Sequence, residues 1–159
     1  MKNFKLKTIF FTVVAAMTLG IFTVGCSKSD DKNEEITPDK NNYKITVSLT
    51  DVDPARDFVS VAIAGGTGTG KTDVWKVDGV VKTGESAISL NKNNFGPGKK
   101  TYVIESTEPI MAFSGGIQII NAGAPLPISL KIEKGGKVVV DENVTLSGDG
   151  TDFTKRYSF

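Results

Sequence analysis

From Tyr43 onward, apolar residues recur at every second position, not with the roughly 3.6-residue period of a helix. In the run YKITVSLT, the apolar residues Tyr43, Ile45, Val47 and Leu49 alternate with polar ones. This pattern is typical of a strand with one buried and one exposed face. It recurs in residues 59–63, 88–90, 128–132, 138–146 and 153–159. Glu142 interrupts the run 138–146, which indicates a β-bulge or an edge strand there.

Glycine and proline separate these runs at short intervals, as they do between short strands. The turn signals are Asp53-Pro54, Gly65-Gly66, Asp78-Gly79, Gly96-Pro97-Gly98, Gly115-Gly116, Gly123, Gly135-Gly136 and Gly148 to Gly150. Gly135-Gly136 lies between two alternating runs and is the clearest hairpin signal. We therefore predict an all-β fold, a single antiparallel β-sandwich of about seven to nine strands with an immunoglobulin-like or transthyretin-like topology.

Residues 1–25 have the organisation of an export signal. Lys2, Lys5 and Lys7 form a basic start, and residues 9–24 are an uncharged, largely apolar stretch that ends beside Gly25. These 16 residues fall short of the roughly 20 that a helix needs to cross a bilayer. We predict that residues 1–25 are a cleaved signal peptide and that the remainder of the chain is exported.

The only cysteine of the chain, Cys26, directly follows this stretch in the sequence TVGC. This arrangement resembles the lipobox of bacterial lipoproteins. The resemblance implies that the Cys26 thiol is acylated, with palmitate as a typical chain, and that the signal is cut just before it. The protein would then be held at a membrane by its N-terminal lipid. The alternative is an ordinary signal peptide followed by an incidental cysteine.

The segment after Cys26, residues 27–42, is polar and carries five acidic residues against three lysines. Such a composition buries too little apolar surface to fold alone, so residues 26–42 are predicted to be a flexible tether and residues 43–159 the β-sandwich domain. Acidic residues directly after a lipobox cysteine are similar to the start of Bacteroidetes-type surface lipoproteins. That resemblance implies an outer-membrane lipoprotein exposed at the cell surface.

Residues 65–72, GGTGTGKT, match the phosphate-binding loop of nucleotide-hydrolysing enzymes, with Gly65, Gly70, Lys71 and Thr72 at the motif positions. That loop binds phosphate only where a helix begins at its lysine, because the helix N-terminus faces the phosphates. The following residues, TDVWKVDGVV, alternate as a strand and contain a glycine turn. We therefore predict a glycine-rich hairpin turn and no nucleotide binding.

The residue types present leave few kinds of catalysis open. The chain has no histidine, which excludes Ser-His-Asp and Cys-His catalysis and histidine-ligated zinc. Asp51, Asp53 and Asp57 cluster after the first strand and are candidate ligands for Ca²⁺. Aspartates in such a position also start turns by accepting hydrogen bonds from nearby backbone amides, which is the alternative interpretation. We expect no enzymatic activity and no cofactor.

Trp75 is a candidate stacking platform for a sugar ring, although its shared face with Val77 also fits a core position. Once the lysines of the signal are removed, 16 of the 19 basic residues remain against 18 acidic ones, a net charge of about −2. This balance gives no support for a nucleic-acid partner. Two function classes follow: a non-catalytic surface module that binds glycan or protein, or a structural component of an envelope complex that pairs through exposed strand edges.

Overall fold

Two antiparallel sheets make up the fold of residues 38–159, the part of the chain that this computed structural model describes. One sheet has six strands in the order β4-β3-β6-β1-β8-β9, and the other has four in the order β10-β7-β2-β5. The strands are β1 (Tyr43–Thr50), β2 (Phe58–Gly66), β3 (Trp75–Val77), β4 (Val80–Val81), β5 (Ala87–Asn91), β6 (Lys99–Ser106), β7 (Ala112–Asn121), β8 (Leu126–Lys134), β9 (Lys137–Leu146) and β10 (Thr151–Ser158). A short helix, α1 (Lys92–Phe95), and a 3-10 turn (Pro38–Asn41) complete it. The predicted all-β sandwich is confirmed, with ten strands in the described residues.

The alternating runs form strands because each can bury one face between the sheets. In β1, the side chains of Ile45, Val47 and Leu49 are fully buried, while Lys44 and Thr46 lie on the outer face. Full burial of one such aliphatic side chain contributes about 1.5–3 kcal/mol relative to exposure. The strand sits between β6 and β8 near the centre of its sheet, so both its edges are hydrogen-bonded.

Strand β9 lies at a sheet edge, as its interrupting acid indicated, and it also contains a β-bulge, at Val139 and not at Glu142. Ile132 of β8 lies opposite Val140, whereas the next residue, Glu133, lies opposite Val138, so Val139 has no partner and forms a bulge. The strand is also the last of its sheet. Its hairpin with β8 turns at Gly135 and Gly136, whose φ angles of 55° and 74° are the left-handed values that a two-residue turn requires. The predicted hairpin is confirmed.

Two central strands, β6 and β7, were not predicted from the sequence. The prediction of a turn at Gly115-Gly116 was wrong, because both glycines lie inside β7, paired with β2 and β10. A packing contact explains the first of them. A Cβ atom on Gly115 would lie 3.1 Å from Cζ of Phe113, whose ring folds back over that position. Glycine at this site therefore makes room for an aromatic ring and does not mark a turn.

The two ends of the sandwich carry different loops. The entry end, where the chain enters the domain, carries the loops 67–74 and 107–111 and the hairpin turn 135–136. At the far end lie the loops 51–57, 96–98, 122–125 and 147–150. The backbone carbonyls of Asn41 and Asn42 accept hydrogen bonds from Ile110 and Gly135, so the last residues of the predicted tether belong to the folded domain.

The remaining N-terminal predictions, which are the signal peptide over residues 1–25, the acylated Cys26 and most of the tether, lie outside the described residues. Within residues 38–159, no helix is both long and apolar enough to span a bilayer. The assignment of the sandwich to an immunoglobulin-like or transthyretin-like topology stays a prediction.

Candidate functional site

The glycine-rich segment 65–72 lacks the helix on which a phosphate-binding loop depends. Gly65 and Gly66 are the last residues of β2, a tight turn follows, and the next regular element is the strand β3. A Cβ atom on Gly65 would lie 2.6 Å from Cζ2 of Trp75, so this glycine exists to let the indole ring pack against the backbone. Without a helix N-terminus the segment has no dipole to hold a phosphate.

The segment is also not the hairpin that the sequence predicted. Strand β2 belongs to the four-stranded sheet and β3 to the six-stranded sheet, so the segment crosses from one layer of the sandwich to the other. Near its end, the Lys71 ammonium lies 3.3 Å from the Glu108 carboxylate, with the lysine side chain 64% exposed. The motif lysine thus serves a surface ion pair, a contact that contributes only about 0–1 kcal/mol.

Changing Lys71 to alanine is expected to leave the protein folded and its stability within about 0.5 kcal/mol of wild type. Thermal unfolding measures the stability, and calorimetric titration with ATP and Mg²⁺ tests for nucleotide binding. The matched control is Lys82→Ala, which removes another lysine from the same end. ATP affinity in the wild type that Lys71→Ala abolishes and Lys82→Ala preserves would show that the segment binds nucleotide after all.

Trp75 is fully buried at the entry end of the core. Its Nε1–H donates a hydrogen bond of 3.0 Å to the Ser86 carbonyl, and its ring meets that of Phe113 edge to face, with centroids 6.4 Å apart. The hypothesis that Trp75 stacks on a sugar ring is therefore wrong, because neither face of the indole is accessible. Its placement in the core, the alternative interpretation, is confirmed.

Asp57 holds two far-end loops together. It is only 5% exposed. Its Oδ2 accepts a hydrogen bond of 2.9 Å from the Asp53 amide, and its Oδ1 accepts one of 2.9 Å from the Ala122 amide. Hydrogen bonds to an ionised acceptor are stronger than those between neutral groups, so this carboxylate is an effective brace between the loops 51–57 and 122–125.

Asp51 connects the same loop to a third one. Its φ of 58° is left-handed, a conformation that aspartate adopts more readily than most residues. Its Oδ1 accepts a hydrogen bond of 3.0 Å from the Gly98 amide, and its own amide donates one of 3.1 Å to the Gly98 carbonyl. The loop after α1 is thereby fixed against the loop after β1.

Asp51 and Asp57 thus brace separate loops, whereas Asp53 stabilises its own turn by accepting a hydrogen bond of 2.9 Å from the Ala55 amide. Among residues 38–159, no group of three or more His, Cys, Asp or Glu side chains is placed to hold a metal ion. The geometry supports the turn interpretation of these aspartates. Calcium binding at Asp51, Asp53 and Asp57 stays a prediction.

Asn121 secures the fourth far-end loop and was not identified from the sequence. This fully buried side chain donates through Nδ2 to the carbonyls of Leu146, at 3.3 Å, and Gly148, at 3.2 Å. An asparagine beside a glycine-containing turn carries no signal that distinguishes it from an exposed one. With Asp51 and Asp57, it makes the four loops of the far end a single braced platform.

Beside this platform, the outer surface of the six-stranded sheet forms a shallow hollow of about 310 Å³. Its lining is mostly hydroxyl and amide side chains, with one cation: Ser48, Thr50, Lys99, Pro127, Ile128, Ser129, Asn143, Val144 and Thr145. Beside it, the Thr101 hydroxyl donates a hydrogen bond of 2.9 Å to the Ser48 hydroxyl, which fixes the rotamer of this lining residue. Such a surface offers several hydrogen-bonding groups to a polar ligand.

Comparison with solved structures finds proteins with a similar fold. A crystal structure of a DUF4425 family protein from Bacteroides ovatus ATCC 8483 is 15% identical with a TM-score of 0.53, over 76% of this chain and 94% of that one. A DUF4425 domain from Bacteroides vulgatus ATCC 8482 is 16% identical with a TM-score of 0.54, over 75% of this chain and 93% of that one. An NMR structure of the calcium-bound form of a protein from Parabacteroides distasonis is 14% identical with a TM-score of 0.52, over 73% of this chain and 91% of that one. No family model and no curated protein matches the sequence.

Proposed function

We propose that this protein is a lipid-anchored, extracytoplasmic β-sandwich that binds a glycan or protein at the cell surface without catalysis. The observation that carries the proposal is the braced platform at the far end, with a polar hollow beside it, on the opposite side of the domain from the entering chain. Loops that are held rigid before binding lose less conformational entropy when a ligand arrives. A domain anchored at its entry end presents this platform away from the membrane.

The hollow favours a ligand recognised by hydrogen bonds over one recognised by stacking. Among the described residues, the large exposed aromatic side chains are Phe58 and Phe159, which lie near opposite ends of the domain and form no strip on a sheet face. A sugar or an extended polar peptide would instead meet the side chains of Asn143 and Thr145 at the rim of the hollow.

The alternative, an assembly component that pairs through strand edges, is less favoured by the edges that the described residues present. At the ends of the six-stranded sheet, β4 has only two residues and β9 carries the bulge at Val139. Glu142 of β9 turns toward the interior and meets Lys155 of β10, with Nζ and Oε1 3.7 Å apart. Short strands, bulges and inward charges are the features by which sheets avoid edge pairing.

Glu142 also influences Tyr157 on β10, the edge strand of the other sheet. Burial, and then the Glu142 charge, raises the pKa of the Tyr157 phenol, so this side chain stays neutral through the physiological range. The seam between β9 and β10 therefore contains ionisable groups that a second strand would have to desolvate on pairing.

A glycan array probed with the exported chain, residues 26–159 with Cys26→Ser to prevent acylation, tests the binding proposal. We expect a subset of glycans to bind, and the double variant Asn143→Ala/Thr145→Ala to lose that binding. The control is Ser89→Ala/Gln118→Ala, two exposed polar residues on the other sheet. If both double variants lose binding equally, the hollow is not the binding site. If the chain binds no glycan and no component of an envelope extract, the proposed binding function is wrong.

The same array should be run with and without calcium, because one structural neighbour was solved in a calcium-bound form. Calcium-dependent binding that Asp53→Asn abolishes would support the aspartate cluster as a metal site. Asp53 is the best choice for this variant because it lies exposed at the surface of the platform.

Changing Cys26 to serine in the full-length chain is expected to abolish acylation and to release the protein from the membrane fraction, because serine supplies no thiol for the lipid. Metabolic labelling with a palmitate analogue and detergent phase partitioning measure the two effects. Ser27→Ala is the neighbouring control and should remain acylated. Unchanged membrane attachment of the Cys26→Ser protein would contradict lipid anchoring.

A further inference from the structure

The entry end of the sandwich combines exposed apolar side chains with lysines. We propose that this surface rests on an anionic lipid headgroup layer, so that the domain lies against the membrane that anchors it. The surface consists of Met111, Phe159, Lys134, Lys137 and Val138, and is called the entry patch below. The proposal extends the lipid-anchored module described above and depends on that anchoring for its place in the cell.

The elements that carry the entry patch converge on the entering chain. The amide of Ile110, next to Met111, donates to the Asn41 carbonyl at 3.0 Å. The amide of Gly135, between the two lysines, donates to the Asn42 carbonyl at 2.8 Å. These hydrogen bonds place the patch at the point where residues 38–42 leave the domain toward Cys26.

The apolar side chains of the patch are exposed to an extent that the core does not require. Met111 is 64% exposed and Phe159 is 42% exposed. The Phe159 ring lies 5.6 Å from that of Phe113 and 6.3 Å from that of Tyr43, measured between centroids, so one side of it closes the core and the other faces outward. An aromatic ring with one packed and one exposed side suits the boundary between headgroups and acyl chains.

The entry patch itself carries two lysines and no acidic side chain, which favours an anionic surface. The nearby acidic residue Glu108 pairs with Lys71, and Glu133 pairs with Lys131 at 3.4 Å. Within residues 38–159, Lys134 and Lys137 take no part in an ion pair. The Lys134 ammonium instead lies 5.6 Å from the centre of the Tyr43 ring. Both lysines therefore keep their charge available for lipid phosphates, which attract basic residues close to a membrane surface.

The chain length outside the domain keeps the patch near the membrane. The 12 residue steps from Cys26 to Pro38 span at most about 43 Å even when fully extended. A tether of this length holds the domain at a high effective concentration beside the lipid, so that a weak contact is sufficient to orient it.

Vesicle flotation tests the proposal with residues 26–159 carrying Cys26→Ser, a chain that contains the whole of the described core but no lipid. Vesicles of phosphatidylcholine alone are compared with vesicles that also contain phosphatidylglycerol. We expect binding to the anionic vesicles that weakens with added salt. The double variant Lys134→Glu/Lys137→Glu is expected to bind the anionic vesicles at least about tenfold more weakly than wild type. Met111→Ser is expected to weaken this binding as well.

The matched control is Lys92→Glu/Lys100→Glu, which makes the same charge change near the far end and is expected to keep wild-type binding. Equal loss in both charge variants would overturn the proposal, since it would reflect net charge alone. Equal binding to neutral and anionic vesicles would also overturn it, as would self-association through Met111 in solution, measured by sedimentation. Because this chain is not acylated, failure here leaves the Cys26 anchor and the far-end ligand site standing.

Discussion

Replacing Trp75 with alanine is expected to lower the free energy of unfolding by about 3–5 kcal/mol, which is the usual cost of removing a large aromatic side chain from a core. The indole is fully buried, and its removal leaves the Ser86 carbonyl without its donor. It also takes the edge-to-face partner from Phe113, and with it one wall of the core at the entry end. Little of this space can be filled again, because Gly65, whose backbone faces the indole, has no side chain that could move into it.

Urea unfolding followed by circular dichroism measures this effect, since the variant lacks the only tryptophan and with it the natural fluorescence probe. Trp75→Phe is the control, because it keeps an aromatic ring in the cavity and should cost less than the alanine variant. A loss of stability below about 1 kcal/mol for Trp75→Ala would contradict the core role, since exposed positions usually show changes of that size or smaller.

The alternation of apolar residues predicted most of the strands, because burial of one strand face is a local property that period two records directly. It did not identify β7, where Gly115-Gly116 interrupts the pattern and was interpreted as a turn. The reason for Gly115 is the ring of Phe113, which lies over its backbone, a packing contact that appears only after folding. The presence of most strands could therefore be predicted, but whether a given glycine marks a turn or makes room for a neighbouring side chain could not.

The phosphate-loop resemblance shows the same limit. The sequence correctly predicted that no helix follows Lys71, because the residues after it alternate as a strand. It did not show that Gly65 is required by the indole of Trp75, nor that the segment crosses between the sheets. Both facts depend on which strands become neighbours, and short glycine-rich connections fit a hairpin and a crossing between layers equally well.

The candidate site was predictable only in part. The cluster of Asp51, Asp53 and Asp57 was identified as noteworthy, and its role in turns was one of the two interpretations. The partner of Asp57 was beyond reach, because the amide of Ala122 is 65 positions away along the chain. Sequence spacing shows which aspartates are close together, whereas long-range pairing decides which backbone amides they hold.

Changing Asp57 to alanine is therefore expected to cost about 2–3 kcal/mol, because the amides of Asp53 and Ala122 both lose their acceptor in a partly buried place. Amide hydrogen exchange should become faster at both positions. Amides of β1, such as that of Val47, should remain among the most slowly exchanging, as in the wild type. Asp57→Asn is the isosteric control: it retains one good acceptor oxygen, so it should cost less and free mainly one of the two amides. Since this brace makes the platform rigid, the alanine variant should also bind any far-end ligand more weakly. Its binding to anionic vesicles through the entry patch should fall less. Unchanged protection of the Ala122 amide would show that other contacts hold the loops, and that Asp57 does not preorganise the binding platform.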